Sequence, residues 1–295
     1  MLKPSTRRNL VAGLTMLAPS LLVLLVFVIL PVLAAFYLSL TSWQARSVGA
    51  EFIGLQNYMA LLSGDDLWNA LRNTVVFTVL KISLDLVLSL GIAVFLNQKL
   101  RGIGVFRTLY FLPVITSVVA VGAVWRVIYN PNFGLLNSLL AVFGIPEQRW
   151  LADPNLALLS VTLVAIWKGL GYNIVIFLAG LQGIPQIYQE AAAVDGATGW
   201  QRFRHITWPL LSPVTFFVVV VGIINSFKYF SLIHVMTPNG GPLQSTEVLV
   251  FYIYRLAFQE FKFGTAAAVA YILFLIVLVV TAVQRRVIEP RVHYE

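Results

Sequence analysis

The 295-residue sequence contains no cysteine, which excludes disulfides, thiolate nucleophiles and Cys-ligated metal sites. Charge is scarce as well. Asp, Glu, Lys and Arg make up 11% of the chain, against about 25% in a soluble domain. No G-x-x-x-x-G-K-[ST] run occurs, so the chain has no P-loop to cradle nucleotide phosphates. Its histidines, His205, His234 and His293, are far apart and form no H-E-x-x-H pair. Asp85 is the one acidic residue inside an apolar stretch, so paired intramembrane aspartates are missing too. A membrane-embedded enzyme has no catalytic constellation to work with here.

What the chain does have is apolar sequence in long runs. Hydrophobic residues reach 59% and the mean hydropathy is +0.86. Runs of about 18 or more apolar residues with few charges read as membrane-spanning helices. Six are expected, over 12–40, 70–97, 107–129, 156–180, 209–233 and 264–284, joined into one all-α membrane domain covering 1–295. The first follows Lys3, Arg7 and Arg8, as in a signal peptide. Its apolar stretch is nearly thirty residues long, whereas a signal peptide has about 7–15. It reads as a retained span, bent or locally unwound near Pro19 and Pro31.

Lys and Arg loop counts set the expected orientation. With the N-terminus inside, the inner segments hold eleven, namely Lys3, Arg7, Arg8, Lys99, Arg101, Arg107, Arg202, Arg204, Arg285, Arg286 and Arg291. The outer loops hold four, Arg46, Arg149, Arg255 and Lys262. Both termini are expected in the cytoplasm. Of the outer loops, 237–263 is the most organised: Thr237-Pro238-Asn239-Gly240-Gly241-Pro242 is turn chemistry. The mixed run after it is either a helix at headgroup level or a docking surface for an external partner.

Few ionisable or strongly polar groups lie inside the spans, and such groups are costly there. Lys81 and Asp85, at i and i+4 on the second span, can pair on one face; they are either a neutralised structural pair or a transport relay. Lys168, Tyr172 and Asn173 share a face of the fourth span. Asn225, Lys228 and Tyr229 are expected to share one on the fifth. These two sets either contact a hydroxylated solute, which needs hydrogen bonds and a ring face, or make interhelical or inter-subunit contacts.

The inner loop 181–208 carries the strongest signal. Glu190-Ala191-Ala192-Ala193-Val194-Asp195-Gly196-Ala197 reads as a short helix with an acidic start, stopped by Gly196. Phe203 and Ile206 follow at i, i+3, then Pro209 and Pro213 open the next span. On physical grounds it is a coupling element or an amphipathic loop on the bilayer. The run closely resembles the EAA motif of permease subunits of bacterial ABC importers. Glu190, Ala191, Ala192, Asp195, Gly196, Ala197, Phe203, Ile206, Pro209 and Pro213 all fall on it. The phrase Asp-Gly-Ala with Phe203 and both prolines is similar to the carbohydrate-uptake, maltose-permease-like branch, as are Phe111-Leu112-Pro113 and Gly240-Gly241-Pro242 followed by Ser245-Thr246. The large external domain of the maltose protein itself is absent.

The resemblance implies a type I importer permease in the inner membrane, paired with a second, homologous permease. Their EAA loops dock on a pair of ATPase subunits, which bind the ATP and Mg; no cofactor or metal is implied for this chain. An extracytoplasmic solute-binding protein delivers a sugar, polyol or glycerol phosphate. The competing reading is a self-sufficient secondary transporter or channel that uses Lys81 and Asp85 as an ion relay. A carrier of that kind has no use for an ATPase-docking loop.

Overall fold

The computed structural model describes residues 4–44, 49–98 and 102–287. Lys3, Arg46, Lys99, Arg101, Arg291 and His293 lie outside the described residues, as do the side chains of Arg7 and Arg8. Among the described residues the secondary structure is helical, apart from an isolated bridge between Thr41 and Phe52. The chain divides into two compact units, one formed by 1–63 and 253–272, the other by 64–252 and 273–295.

In the first unit, α1 (Pro4–Leu24) runs through a π turn, Leu25–Ile29, into α2 (Leu30–Ser39). The result is one apolar span, Ala12–Ser39, of 28 residues. The expected local unwinding is found near Pro31, as this π turn, and not at Pro19, which lies inside α1. Pro31 lacks an N–H and its ring crowds the carbonyl one turn back. The wider π turn ahead of it, in which Leu30 N–H donates to Leu25 O, accommodates the ring while the helix continues. After α2, the helix α3 (Gln56–Ser63) contributes Asn57, whose Nδ2 donates to the carbonyls of Ser39 (2.9 Å) and Thr41 (2.8 Å) and whose Oδ1 accepts from Thr265 (3.2 Å). One buried amide thus satisfies the backbone where the first span ends.

The second unit is built on α4 (Asp65–Leu96). Asp65 and Asp66 occupy its first turn, where the helix dipole favours negative charge. Its buried face repeats every three or four residues through Ala70, Asn73, Thr74, Phe77, Thr78, Lys81, Asp85, Ser89, Leu90 and Ala93, and much of that face is polar. Asn73 donates to the carbonyls of Gln244 (3.0 Å) and Glu247 (3.1 Å), and Thr74 accepts from Leu249 N–H (2.8 Å). The Thr237–Thr246 turn region is therefore fastened to α4.

The expected span 107–129 is instead two helices, α5 (Ile103–Ile115) and α6 (Val118–Ile128), bent by 101°. α5 carries Pro113 inside it at the loss of one ladder bond, and the break follows Ile115, where Thr116 and Ser117 are extended. A short α7 (Leu135–Val142) precedes α8 (Ala157–Gly183), which packs along α4. Next come α9 (Gln186–Val194) and α10 (Gly199–Arg202), a π turn Phe203–Thr207, α11 (Trp208–Leu210) and α12 (Ser212–Phe227). The Gly199–Leu210 stretch meets α12 at 63°. The expected span 209–233 ends early, at Phe227, and a separate α13 (Ser231–Met236) follows. The chain closes through α14 (Leu249–Tyr254) and α15 (Phe263–Val287). Leu249, Phe251, Tyr252 and Leu256 are buried in protein rather than laid on a headgroup layer. Among the described residues four helices are long and apolar enough to span a membrane, or up to six spans if each bent pair counts as one.

Lipid tails are as apolar as leucine, so packing here depends on close approach at small residues. At Gly171 of α8 a Cβ would collide with the carbonyl oxygen of Tyr110 and lie 2.9 Å from Val114 Cγ2. At Gly180 it would lie 2.7 Å from Val214 Cγ2 of α12. Gly171→Ala is expected to destabilise the protein by about 1–3 kcal/mol, because the obstacle is backbone. Gly91→Ala, where a Cβ meets nothing within 4 Å, is expected not to. Thermal unfolding in detergent compares the two.

Candidate functional site

The polar face of α4, the middle of α8 and the end of α12 enclose a cavity of about 320 Å³. Its wall includes Lys81, Asp85, Lys168, Tyr172, Asn173, Asn225 and Tyr229. The pair expected at i, i+4 is formed: Lys81 Nζ lies 3.2 Å from Asp85 Oδ2, with both side chains buried. Asn173 Nδ2 donates to the same oxygen at 3.0 Å, while Asp85 Oδ1 has no hydrogen-bond partner among the described residues. Gly169 of α8 faces the pair, and a Cβ there would stand in ordinary contact, 3.8 Å from Asp85 Oδ2 and 3.9 Å from Lys81 Nζ.

Lys168 reaches the cavity wall with its donors already engaged. Its ammonium donates to the carbonyls of Pro113 (3.0 Å), Val114 (3.5 Å) and Thr116 (2.8 Å). These are the carbonyls at the end of α5, at the negative pole of the helix dipole. Lys168 is thus a cap on a broken helix, a role that spacing along α8 does not reveal.

Tyr229 packs its ring 5.1 Å from Phe77, and Asn225 and Tyr172 are exposed along the wall. Lys228 departs from expectation: it caps the end of α12, is exposed, and is not part of this wall. The i, i+3, i+4 rule fails because the helix stops at Phe227. Lys81 and Asp85 were expected as an isolated pair, yet they belong to the same cavity. The signal for that was present, since they continue the polar stripe of Asn73, Thr74, Thr78 and Ser89.

The second constellation is the loop between α8 and α12. Only Ile184 and Pro185 separate α8 from α9. α9 begins at Gln186, so Glu190 is in mid-helix and not at its acidic start; Gln186 Nε2 donates to Glu190 Oε1 at 2.7 Å. Gly196 ends the helix as expected. Its φ is +78°, and Gly196 N–H donates to Ala193 O (3.1 Å) and Ala197 N–H to Ala192 O (2.9 Å). That pattern is a Schellman motif, which requires a left-handed residue at this position. Thr198 and Gln201 then form a capping box that starts α10.

Ala191, Ala192, Asp195, Ile206 and Pro209 line one hollow of about 390 Å³ with Tyr188, His205 and Leu210. Phe203 instead packs against the buried cluster of Leu178, Leu181 and Leu211. Pro209 lies inside the helical stretch that leads to α12, and Pro213, not Pro209, occupies the first turn of α12. α9 itself buries no side chain. Ile187, 67% exposed, and Val194, 88% exposed, bracket Ala191 at i, i+4, i+7 as an apolar stripe. The motif does not contain these two, although their spacing is readable in the sequence. Of the histidines, His205 pairs through Nδ1 with Gln201 O (3.0 Å) and His234 stacks on Phe230 (5.1 Å). Among the described residues no group of three or more His, Asp or Glu could hold a metal ion.

Residues 9–294 match the model of the family described as binding-protein-dependent transport system inner membrane component. Among curated relatives, the sn-glycerol-3-phosphate transport system permease protein UgpA of Agrobacterium fabrum is 38% identical over 287 residues, 97% of each chain. The trehalose/maltose transport system permease protein MalF of Thermococcus litoralis is 35% identical over 277 residues, 93% of this chain and 92% of that one. Among solved structures, a chain of a bacterial alginate ABC transporter, in complex with an alginate pentasaccharide-bound periplasmic protein, superposes with a TM-score of 0.84 at 22% identity. It covers 96% of this chain and 95% of that chain, and it agrees with the helical fold described above. The chain belongs to the family of binding-protein-dependent transport system inner membrane components, as a multi-pass permease subunit of an ABC importer and not an enzyme.

Proposed function

We propose that this chain is one of two permease subunits of an importer for a sugar or sugar-like solute, working as one unit with both termini in the cytoplasm. The observation that carries this reading is the α9–turn–α10 lever: a short helix that buries none of its side chains, presents an apolar stripe, and is closed at Gly196 by a Schellman motif. Such a helix lacks the burial that holds helices in proteins, and the groove of an ATPase subunit would supply it. Glu190 to Ala197 are its docking segment. Phe203, Ile206, Pro209 and Pro213 relay displacement toward α12. The partners are a homologous permease, an ATPase pair that binds ATP and Mg, and an external solute-binding protein.

Support for the solute class comes from the cavity and the relatives. Tyr172, Asn173, Asn225 and Tyr229 offer amide, phenol and ring faces suited to hydroxyls. The relatives' names include sn-glycerol-3-phosphate and trehalose/maltose transport. Lys228 stands outside this cavity and is assigned no solute contact. The eleven-to-four distribution of Lys and Arg supports a cytoplasmic position for the α9–α10 loop.

Three outcomes test this reading. Gly196→Val puts a β-branched residue in a left-handed conformation, at a cost of about 1–2 kcal/mol. It is expected to abolish co-purification of the ATPase while leaving the permease folded; undiminished recovery of the ATPase contradicts the docking role. Asn225→Ala is expected to cut solute uptake without reducing subunit assembly, and normal uptake by this variant removes Asn225 from the pathway. Lys81→Met leaves Asp85 buried without its cation and is expected to lower stability by about 3–5 kcal/mol, read as thermal unfolding in detergent.

A further inference from the structure

Two cavities beside the loop share a wall. One, of about 720 Å³, is bordered by polar side chains that include Asn97, Gln98, Gln189 and Arg202. The other, of about 500 Å³, is an apolar groove along α4 from Leu86 to Val94, flanked by Trp200 and Trp208. Val94, Gly199 and Phe203 border both, and no carboxylate borders either. Arg202 Nε is buried with no hydrogen-bond partner among the described residues. Gly91 forms part of the apolar groove, and a Cβ there would meet nothing within 4 Å.

We propose that this double cleft binds one anionic phospholipid, its phosphate on Arg202 and an acyl chain along α4. The cleft changes from apolar to polar along a single helix, as a lipid leaflet does. From Leu86 to Val94 the helix rises about 12 Å, close to the ~15 Å of half a bilayer core. Trp200 and Trp208 stand beside the groove, and tryptophan favours the membrane–water boundary. The half-buried Arg202 guanidinium on the border of the polar cavity suits an anionic oxygen, and no carboxylate among the described residues on that border repels one. Free phosphate would leave the apolar groove empty, and an apolar protein surface would leave the Arg202 guanidinium without an anion; a phospholipid satisfies both. This site is separate from the solute cavity and independent of which solute is carried. Gly199, Phe203, Thr207 and Gln189 border the cleft and also belong to the α9–α12 connection, so a bound lipid would bear directly on that lever.

The test is native mass spectrometry of the full chain in mild detergent, with phosphatidylglycerol or phosphatidylcholine of identical acyl chains. One phosphatidylglycerol per chain is expected to be retained, with a preference of about fivefold or more, as one basic residue at an anionic surface provides. Arg202→Gln is expected to erase the preference. Gly91→Leu fills the groove without a backbone clash and is expected to expel either lipid, so the proposal stays testable if the arginine variant folds poorly. Arg204→Gln, an exposed position bordering neither cavity, is expected to change nothing. Equal retention of the two lipids, retention unaffected by Arg202→Gln and Gly91→Leu, or displacement of the lipid by inorganic phosphate alone would each overturn the proposal. So would loss of a protein subunit in Gly91→Leu with lipid retention unchanged.

Discussion

A bilayer offers no water to an orphaned carbonyl, so a chain that breaks a helix inside it must supply a donor from elsewhere in the fold. The Lys168 ammonium is that donor. α5 runs through Pro113 and ends at Ile115, Thr116 and Ser117 are extended, and the chain turns through 101° into α6. Three carbonyls at the break converge on one Nζ. The arrangement also places a positive charge at the negative end of a helix, where it is favourable. Contact of Gly171 with the Tyr110 carbonyl holds α5 close enough for the lysine of α8 to reach. The sharp bend, the close packing and the half-buried cation therefore depend on one another.

The same economy governs α4. Its buried face holds groups that would be costly against lipid, and most of them, though not Thr78, are used to hold something. Asn73 and Thr74 fix the turn region and the start of α14. Lys81 and Asp85 neutralise each other, and Asn173 ties that pair to α8. Ser89 Oγ donates back to the carbonyl of Asp85 along the helix. Polar side chains here do in lipid what apolar burial does in water: they specify which helices meet and at what height.

The features legible in the sequence are local. Apolar runs placed the first, second, fourth and sixth spans, and the motif from Glu190 to Ala197 placed the turn at Gly196, because a Schellman motif is specified by residues adjacent in the chain. Tertiary context decided the rest. Lys168 could not be assigned to the α5 carbonyls from its neighbours on α8, since its partners lie more than fifty residues away. Lys228 was misplaced because nothing in Asn225–Tyr229 marks the end of a helix. Glu190 was read as a helix start because Pro185 was not recognised as the N-cap of a helix beginning at Gln186. Of the two prolines expected to bend or unwind the first span, Pro31 follows a π turn while Pro19 sits inside regular α-helix, a difference the sequence around them does not mark.

The connectivity around α9 gives the loop mechanical reach. Two residues join α9 to α8. On the other side, a turn closed by the Schellman motif and a capping box leads through a helical stretch to α12. Gln189 Nε2 donates to Thr207 Oγ1 at 3.0 Å, bracing α9 against that stretch, and Leu211, at the 63° bend, is buried in the core. The turn therefore has little slack to absorb a displacement. α8 and α12 touch at Gly180 and Val214, between the loop and the cavity. From that contact, Asn173 lies about 10 Å up one helix and Asn225 about 16 Å up the other. The Gly180–Val214 contact is thus the close approach of α8 and α12 that stands between the α9 loop and the two cavity walls.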